Sequence, residues 1–119
     1  MTKQAKLKPL FVKFADYAPK EWEIEIKEYG EEKSRRIVLL LPGNRCLTGE
    51  SDLIDSGAIL FLWDWLSEQG YRITVETYGS SNNDIKLYRR DHDLWVNAGT
   101  LSLAFLKAFI GVRTRAQRL

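Results

Sequence analysis

An uninterrupted apolar run at residues 37–41 constrains the fold more than any other segment of the chain. The run ends abruptly at Pro42-Gly43, a dipeptide typical of turns. A short apolar run without polar alternation fits a β-strand that is covered on both faces. We therefore predict that these residues form a central strand of a sheet.

The segment before this run alternates strictly between acidic and apolar residues, namely Glu21, Trp22, Glu23, Ile24, Glu25 and Ile26. A period of two predicts a strand with one buried face and one acidic face in water. Glu28, Glu31 and Glu32 extend the acidic cluster. Four further strands are predicted at residues 10–14 (an edge strand), 71–78, 85–88 and 94–96.

Two helices are predicted, one from Ser51 or Asp52 to Gly70 and one from Thr100 to Ile110. Asp55 adds favourable negative charge to the first turn of the first helix. One apolar stripe of that helix contains Ile54, Ala58, Phe61, Leu62, Trp65 and Leu66. Leu60 and Trp63 lie on the other side, where a neighbouring element, a protein partner or a second copy of the chain would have to cover them.

The 119 residues fit one domain. We predict an α+β two-layer sandwich, with a mostly antiparallel sheet of about five strands and two helices on one face. The element order is β-β-β-α-β-β-β-α, within a domain at residues 9–112. Residues 1–8 and 113–119 are predicted to be flexible basic tails, with three cations each. Without those six, 12 basic and 16 acidic groups leave the domain at net −4.

The second half of the chain resembles the small phage ABA-sandwich domains. An aromatic-rich helix at residues 58–69 precedes Gly70-Tyr71 and two strands, and residues 98–108 then read Ala-Gly-Thr-Leu-Ser-Leu-Ala-Phe-Leu-Lys-Ala. The resemblance covers residues 58–110, and roughly fifty residues with additional strands precede it. It implies a phage or mobile-element origin and action by binding host proteins, but no general enzymatic activity.

Few side chains suited to catalysis are present. The single Cys46 and single His92 form neither a disulfide nor a Cys/His zinc site, and they are the only thiol–imidazole dyad that the chain offers. The loop at residues 42–51 reads Gly49-Glu50-Ser51 where a phosphate-binding loop needs a lysine. The paired aspartates, Asp52 with Asp55 and Asp91 with Asp93, fit a helix N-terminus and a turn. We predict no catalytic residues, metal or cofactor.

The longest apolar run, residues 58–63, is too short to span a bilayer, so we predict a cytoplasmic protein without membrane contact. The favoured function is a non-enzymatic regulatory protein that binds another protein through Glu21, Glu23, Glu25, Leu60 and Trp63. The alternative is a nucleic-acid-binding module that uses a basic and aromatic sheet face with Arg72, Lys86, Tyr88, Arg90, Arg113 and Arg115. A third hypothesis is an enzyme that uses the loop at residues 42–51.

Overall fold

The chain folds into three α-helices, one 3₁₀ turn and six strands, in a computed structural model that describes residues 3–31, 36–79, 81–90 and 92–118. In chain order the elements are α1 (Lys3–Tyr17), the 3₁₀ turn (Lys20–Trp22), β1 (Glu25–Tyr29), β2 (Arg36–Leu41), β3 (Arg45–Leu47), α2 (Ser56–Glu68), β4 (Arg72–Thr77), β5 (Asn83–Arg89), β6 (His92–Ala98) and α3 (Leu101–Arg118). The predicted α+β class is confirmed.

The strands form two antiparallel sheets of three, in the orders β1-β2-β3 and β4-β5-β6. The prediction of one sheet of about five strands is therefore wrong in its arrangement. The predicted central strand is confirmed, because β2 lies between β1 and β3. The additional strand, β3, lies inside the segment predicted as a loop. Gly43 and Asn44 adopt positive φ angles of 76° and 58°, which turn the chain back immediately after β2.

The acidic segment is not one strand. Glu21 lies in the 3₁₀ turn, and Glu23 follows it with a φ of 50°, so the strand begins only at Glu25. Trp22 nevertheless points towards the core while the glutamates are exposed, which reproduces the period-two pattern without strand geometry. The prediction that Glu21, Glu23 and Glu25 share one strand face is wrong for this reason.

The N-terminal segment is helical from Lys3 to Tyr17, where a basic tail and an edge strand were predicted. Leu7, Phe11 and Phe14 are buried at helical spacing and join the hydrophobic core. Pro9 lies inside this helix and lacks the N–H of an ordinary residue. The strand prediction for residues 10–14 is wrong because these residues belong to a longer helix, whose buried apolar stripe begins at Leu7.

The C-terminal segment also continues as helix, since α3 extends to Arg118 and includes residues that were assigned to a basic tail. Thr114 Oγ1 donates a hydrogen bond to the carbonyl of Ile110 at 2.6 Å. Arg113 Nε donates to the carbonyl of Tyr17 at 2.7 Å, which joins the end of α3 to the end of α1. The two segments expected to be tails therefore supply the first turns of α1 and the last turns of α3.

The core forms where the helices meet the two sheets. α1 packs against the first sheet and against α3, and α3 packs against β5 and β6 of the second sheet. α2 contacts α3, β3 and β4. Within the described ranges, every helix is too short or too polar to cross a lipid bilayer.

Candidate nucleic-acid interface

The second sheet presents one open face. Its other face packs on the core through Ile73, Val75, Ile85, Leu87, Leu94 and Val96. Because side chains alternate along a strand, the residues between these point outward. Tyr88 on β5 is 40% exposed and Trp95 on β6 is 67% exposed. Two large aromatic rings therefore lie in water on neighbouring strands.

Lys86 lies beside both rings. It is paired directly with Trp95 across the β5–β6 ladder, and its Nζ lies 5.6 Å from the Trp95 ring centroid. The same Nζ lies 3.9 Å from Glu76 Oε1. Tyr88 is paired with Asp93, so Tyr88 and Trp95 are diagonal neighbours, and both line one shallow pocket together with Lys86 and Asp93. The arrangement offers flat aromatic surfaces next to a cation.

The two ends of this sheet differ in charge. At one end, Arg72 and Asp93 flank Tyr88 on the neighbouring strands, and Arg89 and Arg90 follow Tyr88 in the chain, so the described charged residues here are three arginines and one aspartate. At the other end, the Tyr78 hydroxyl donates to the Glu76 carboxylate. That hydrogen bond, with burial and the negative charges of Glu76 and Asp84, raises the pKa of Tyr78 above its ordinary value. An anionic ligand would therefore favour the arginine-bearing end.

A cleft of about 220 Å³ adjoins the arginine-bearing end. It lies between the end of α2, the ends of the second sheet's strands and the last turns of α3, and is lined by Trp65, Gln69, Tyr71, Arg89, His92, Val112, Arg113 and Arg115. None of these lining residues is acidic. A neighbouring depression shares Gln69 and Arg89 with it and extends to Arg90.

The six predicted nucleic-acid residues divide into two adjacent groups. Arg72, Lys86 and Tyr88 lie on the open sheet face, because their ladder positions have the same parity. Arg113 and Arg115 line the cleft. Arg90 lies in the β5–β6 turn with a φ of 51°, so its predicted place on the face of Lys86 and Tyr88 is wrong.

Three further residues were missed: Trp95 on the open face, and Arg89 and His92 in the cleft. Trp95 was detectable in principle, because it lies between the inward-facing Leu94 and Val96 and must therefore point outward. Arg89 and His92 are paired across the hairpin end. No local sequence pattern predicts that this pair lies next to the end of α3.

The predicted protein-binding residues belong to α2 and to the segment from the 3₁₀ turn to the start of β1, and not to the second sheet. Leu60 is 62% exposed, and Trp63 is 36% exposed although its ring packs on Phe105 with a centroid distance of 5.5 Å. Leu53 and Ile54, just before α2, are also exposed, which corrects the placement of Ile54 on the buried stripe. Glu21, Glu23 and Glu25 are exposed but belong to the turn and the start of β1.

The loop between β3 and α2 is held by two aspartates. The buried Asp55 carboxylate accepts hydrogen bonds from the Thr48 N–H at 2.8 Å, the Thr48 hydroxyl at 3.0 Å and the Gly49 N–H at 2.9 Å. The Asp52 carboxylate accepts from the N–H groups of Leu101 and Ser102 at the start of α3. The predicted start of the helix at Ser51 or Asp52 is wrong, because residues 52–55 form a turn and α2 begins at Ser56. Asp55 directly precedes α2 but binds the loop, and Asp52 binds the start of α3.

Cys46 and His92 belong to different sheets, Cys46 to β3 and His92 to β6. Within the described part of the chain, no three His, Cys, Asp or Glu side chains converge in a way that would hold a metal ion. Asp91 and Glu32 lie outside the described residues.

Comparison of the chain with protein-family models, with curated proteins and with solved structures finds no match. The resemblance to phage ABA-sandwich domains therefore stays a prediction from the sequence, and the functional proposals rest on geometry.

Proposed function

We propose that this protein binds single-stranded nucleic acid on the open face of its second sheet. The observation that carries the proposal is the pair of exposed rings, Tyr88 and Trp95, side by side on β5 and β6 with Lys86 next to both. Unpaired bases stack on such rings, while neighbouring cations neutralise phosphates. A duplex hides its base faces, so an aromatic platform favours a single strand.

The charge distribution supports the same ligand. Residues 9–112 are acidic overall, with the 12 basic and 16 acidic groups counted above. Nonetheless Arg72, Arg89 and Arg90 gather at one end of the second sheet, next to the cleft that holds Arg113 and Arg115. A strand stacked on Tyr88 and Trp95 would run along this end, where its phosphates meet cations. Its affinity should fall as the salt concentration rises.

Replacing Trp95 with alanine is expected to weaken binding of a short fluorescein-labelled oligonucleotide about tenfold, because stacking of one base on an aromatic side chain contributes about 1–3 kcal/mol. Fluorescence anisotropy at low salt measures the affinity. Tyr88→Ala should give a loss of similar size, since the two rings form one platform.

Tyr29→Ala is the matched control, because Tyr29 is also an exposed aromatic residue, at 53%, but belongs to the first sheet. Its affinity should equal that of the wild type. If Trp95→Ala and Tyr88→Ala bind the oligonucleotide as tightly as Tyr29→Ala, the sheet face is not the binding surface.

A second candidate function is protein contact through the outer face of α2, and we propose a second copy of the chain as the partner. Leu60 and Trp63 lie three residues apart on α2 and are 62% and 36% exposed, and Leu53, in the turn before the helix, is 86% exposed. Ser56, Ser67 and the exposed Asp64 occupy the positions beside the helical pair. This apolar group can pair with its own copy about a twofold axis in a geometry that keeps the two Asp64 carboxylates in water at the rim.

Leu60→Asp is expected to convert such a dimer into a monomer, because each copy would then carry a charge into the apolar contact. Sedimentation velocity over a range of protein concentrations measures the change. Val12→Asp is the control, since Val12 is an exposed aliphatic residue on α1. A wild-type protein that stays monomeric at the highest concentration would exclude this contact.

A further inference from the structure

We infer that the arginine-lined cleft is a binding site for a phosphate monoester, the terminal phosphate of a nucleic-acid strand. The inference rests on the proposed function: the cleft lies beyond the arginine-bearing end of the second sheet, on the side of the helices, so the end of a strand stacked on the open face would reach it by passing that end. Three segments distant in sequence form it: the end of α2 with the following Tyr71, the β5–β6 hairpin and the end of α3.

The cleft combines an apolar base with a cationic rim. Tyr71 and Val112 are buried residues of its lining, and Trp65 is half-buried. The guanidinium groups of Arg89, Arg113 and Arg115 supply the charge, together with donors on His92. An apolar base lowers the local dielectric constant, so that an anion placed against it interacts more strongly with those arginines.

Two of the arginines are held in place by uncharged partners. Arg89 Nη1 donates to the carbonyl of Gln69 at 2.9 Å, and its guanidinium lies 4.9 Å from the Tyr71 ring centroid. Arg113 is held by its bond to the carbonyl of Tyr17. A guanidinium carries five N–H donors, so each of these bonds leaves others for a ligand.

The rim carries three arginines that no acidic residue in the described part of the chain balances at ion-pair distance. Among the described residues, no carboxylate lies within 4.0 Å of Arg89, Arg113 or Arg115. Elsewhere in the molecule, cations do pair with acids, as Lys8 Nζ does with Glu28 Oε1 at 2.9 Å. A bound dianion would remove the mutual repulsion of the three guanidinium groups and accept several charge-assisted hydrogen bonds.

The size of the cleft selects a small group. Its volume of about 220 Å³ is below the roughly 300–1,000 Å³ typical of pockets for drug-sized ligands. A terminal phosphate is small and exposes three oxygens, whereas a phosphodiester inside a strand exposes two and carries a substituent on either side. The cleft therefore fits the end of a strand better than its middle.

The test compares oligonucleotides of one sequence that carry a 5′-phosphate, a 3′-phosphate or hydroxyl groups at both ends. A phosphate at one end is expected to tighten binding about tenfold, as one net charge-assisted hydrogen bond would. Arg115→Ala should abolish that preference. Arg115 suits the test because it is exposed, and no hydrogen bond or ion pair to another described residue holds it.

Lys27→Ala is the matched control, because it removes one exposed positive charge from β1 in the first sheet and should keep the preference. Equal affinity for phosphorylated and hydroxyl-terminated strands would overturn the inference while leaving the proposed function intact. If both Arg115→Ala and Arg115→Glu keep the preference for a terminal phosphate, the phosphate does not bind in the cleft.

Titration with adenosine monophosphate and with inorganic phosphate, followed by amide chemical shifts, separates the two proposals. Shifts of Arg89 and His92 without any oligonucleotide binding would support the cleft and contradict the nucleic-acid function. Competition of either small phosphate with the phosphorylated strand, but not with the hydroxyl-terminated strand, would support both.

Discussion

Replacing Asp55 with alanine is expected to lower the free energy of unfolding by about 3–5 kcal/mol, because each buried donor left without an acceptor costs about 1–3 kcal/mol. The Asp55 side chain is fully buried and accepts hydrogen bonds from the Thr48 N–H, the Thr48 hydroxyl and the Gly49 N–H. The Gly49 N–H would remain in the interior after the truncation, and the two Thr48 donors would remain partly buried.

Urea denaturation followed by tryptophan fluorescence measures this loss. Asp55→Asn should cost less, since the amide keeps the shape of the side chain and one acceptor oxygen. Asp64→Ala is the control, because Asp64 is exposed on the same helix and its removal should change stability by no more than about 0.5 kcal/mol. If Asp55→Ala is no less stable than Asp64→Ala, the carboxylate does not hold the loop.

The consequence of losing Asp55 should extend beyond its own loop. Thr100 Oγ1 donates to the carbonyl of Gly49, and the Asp52 carboxylate binds the first N–H groups of α3. Displacing the loop would therefore release the start of α3 as well. The two aspartates connect the first sheet's hairpin to the helix that packs on the second sheet.

These contacts show why the sequence predicted the aspartates but not their partners. An aspartate next to a helical pattern predicts an N-terminal position, and that prediction depends only on neighbouring residues. Asp52 instead binds Leu101 and Ser102, about fifty residues later in the chain. Only the packed structure determines which orphan N–H groups a carboxylate satisfies.

Local signals were sufficient for the elements that short segments define. The apolar run of β2, the hairpin between β4 and β5 and the start of α3 were all predictable, because each depends on periodicity bounded by turn residues. β3 has three residues, too few to show a period. α1 was missed because its early lysines were assigned to a tail and Pro9 is unfavourable inside a helix, although Leu7, Phe11 and Phe14 have helical spacing.

The candidate site likewise contains some residues that local sequence patterns predict and others that only the packed structure brings together. Lys86 and Tyr88 were predictable as one face of a strand, since residues two apart in a strand point to one side. The cleft was not, because α2, Tyr71, the β5–β6 hairpin and α3 each contribute to it. Arg113 was assigned to a flexible tail from its terminal position, whereas its bond to the carbonyl of Tyr17 depends on a helix that the sequence pattern did not reveal.

Phe109→Ala is expected to cost about 3–5 kcal/mol of unfolding free energy, as full truncation of a core phenylalanine typically does. The Phe109 ring is fully buried in α3 and contacts three other rings. Its centroid lies 4.8 Å from that of Phe14, 5.3 Å from that of Trp22 and 4.7 Å from that of Trp65. α1, the 3₁₀ turn and α2 therefore all contact this one side chain of α3. The cavity left by Phe109→Ala would be lined by residues of these four elements.

Thermal and urea unfolding measure the loss, and hydrogen exchange shows where it acts. Phe109→Leu should cost less because it leaves a smaller cavity, and the exposed Tyr29→Ala should change stability by no more than about 0.5 kcal/mol. The amides of α1 should lose protection in Phe109→Ala, since Phe14 would lose its ring partner. The folded fraction should still bind oligonucleotide, because Trp95 and Lys86 lie on the open face of the second sheet and not in this cluster. Retention of α1 protection at the wild-type level would mean that α1 is held by the first sheet alone and not by the aromatic cluster.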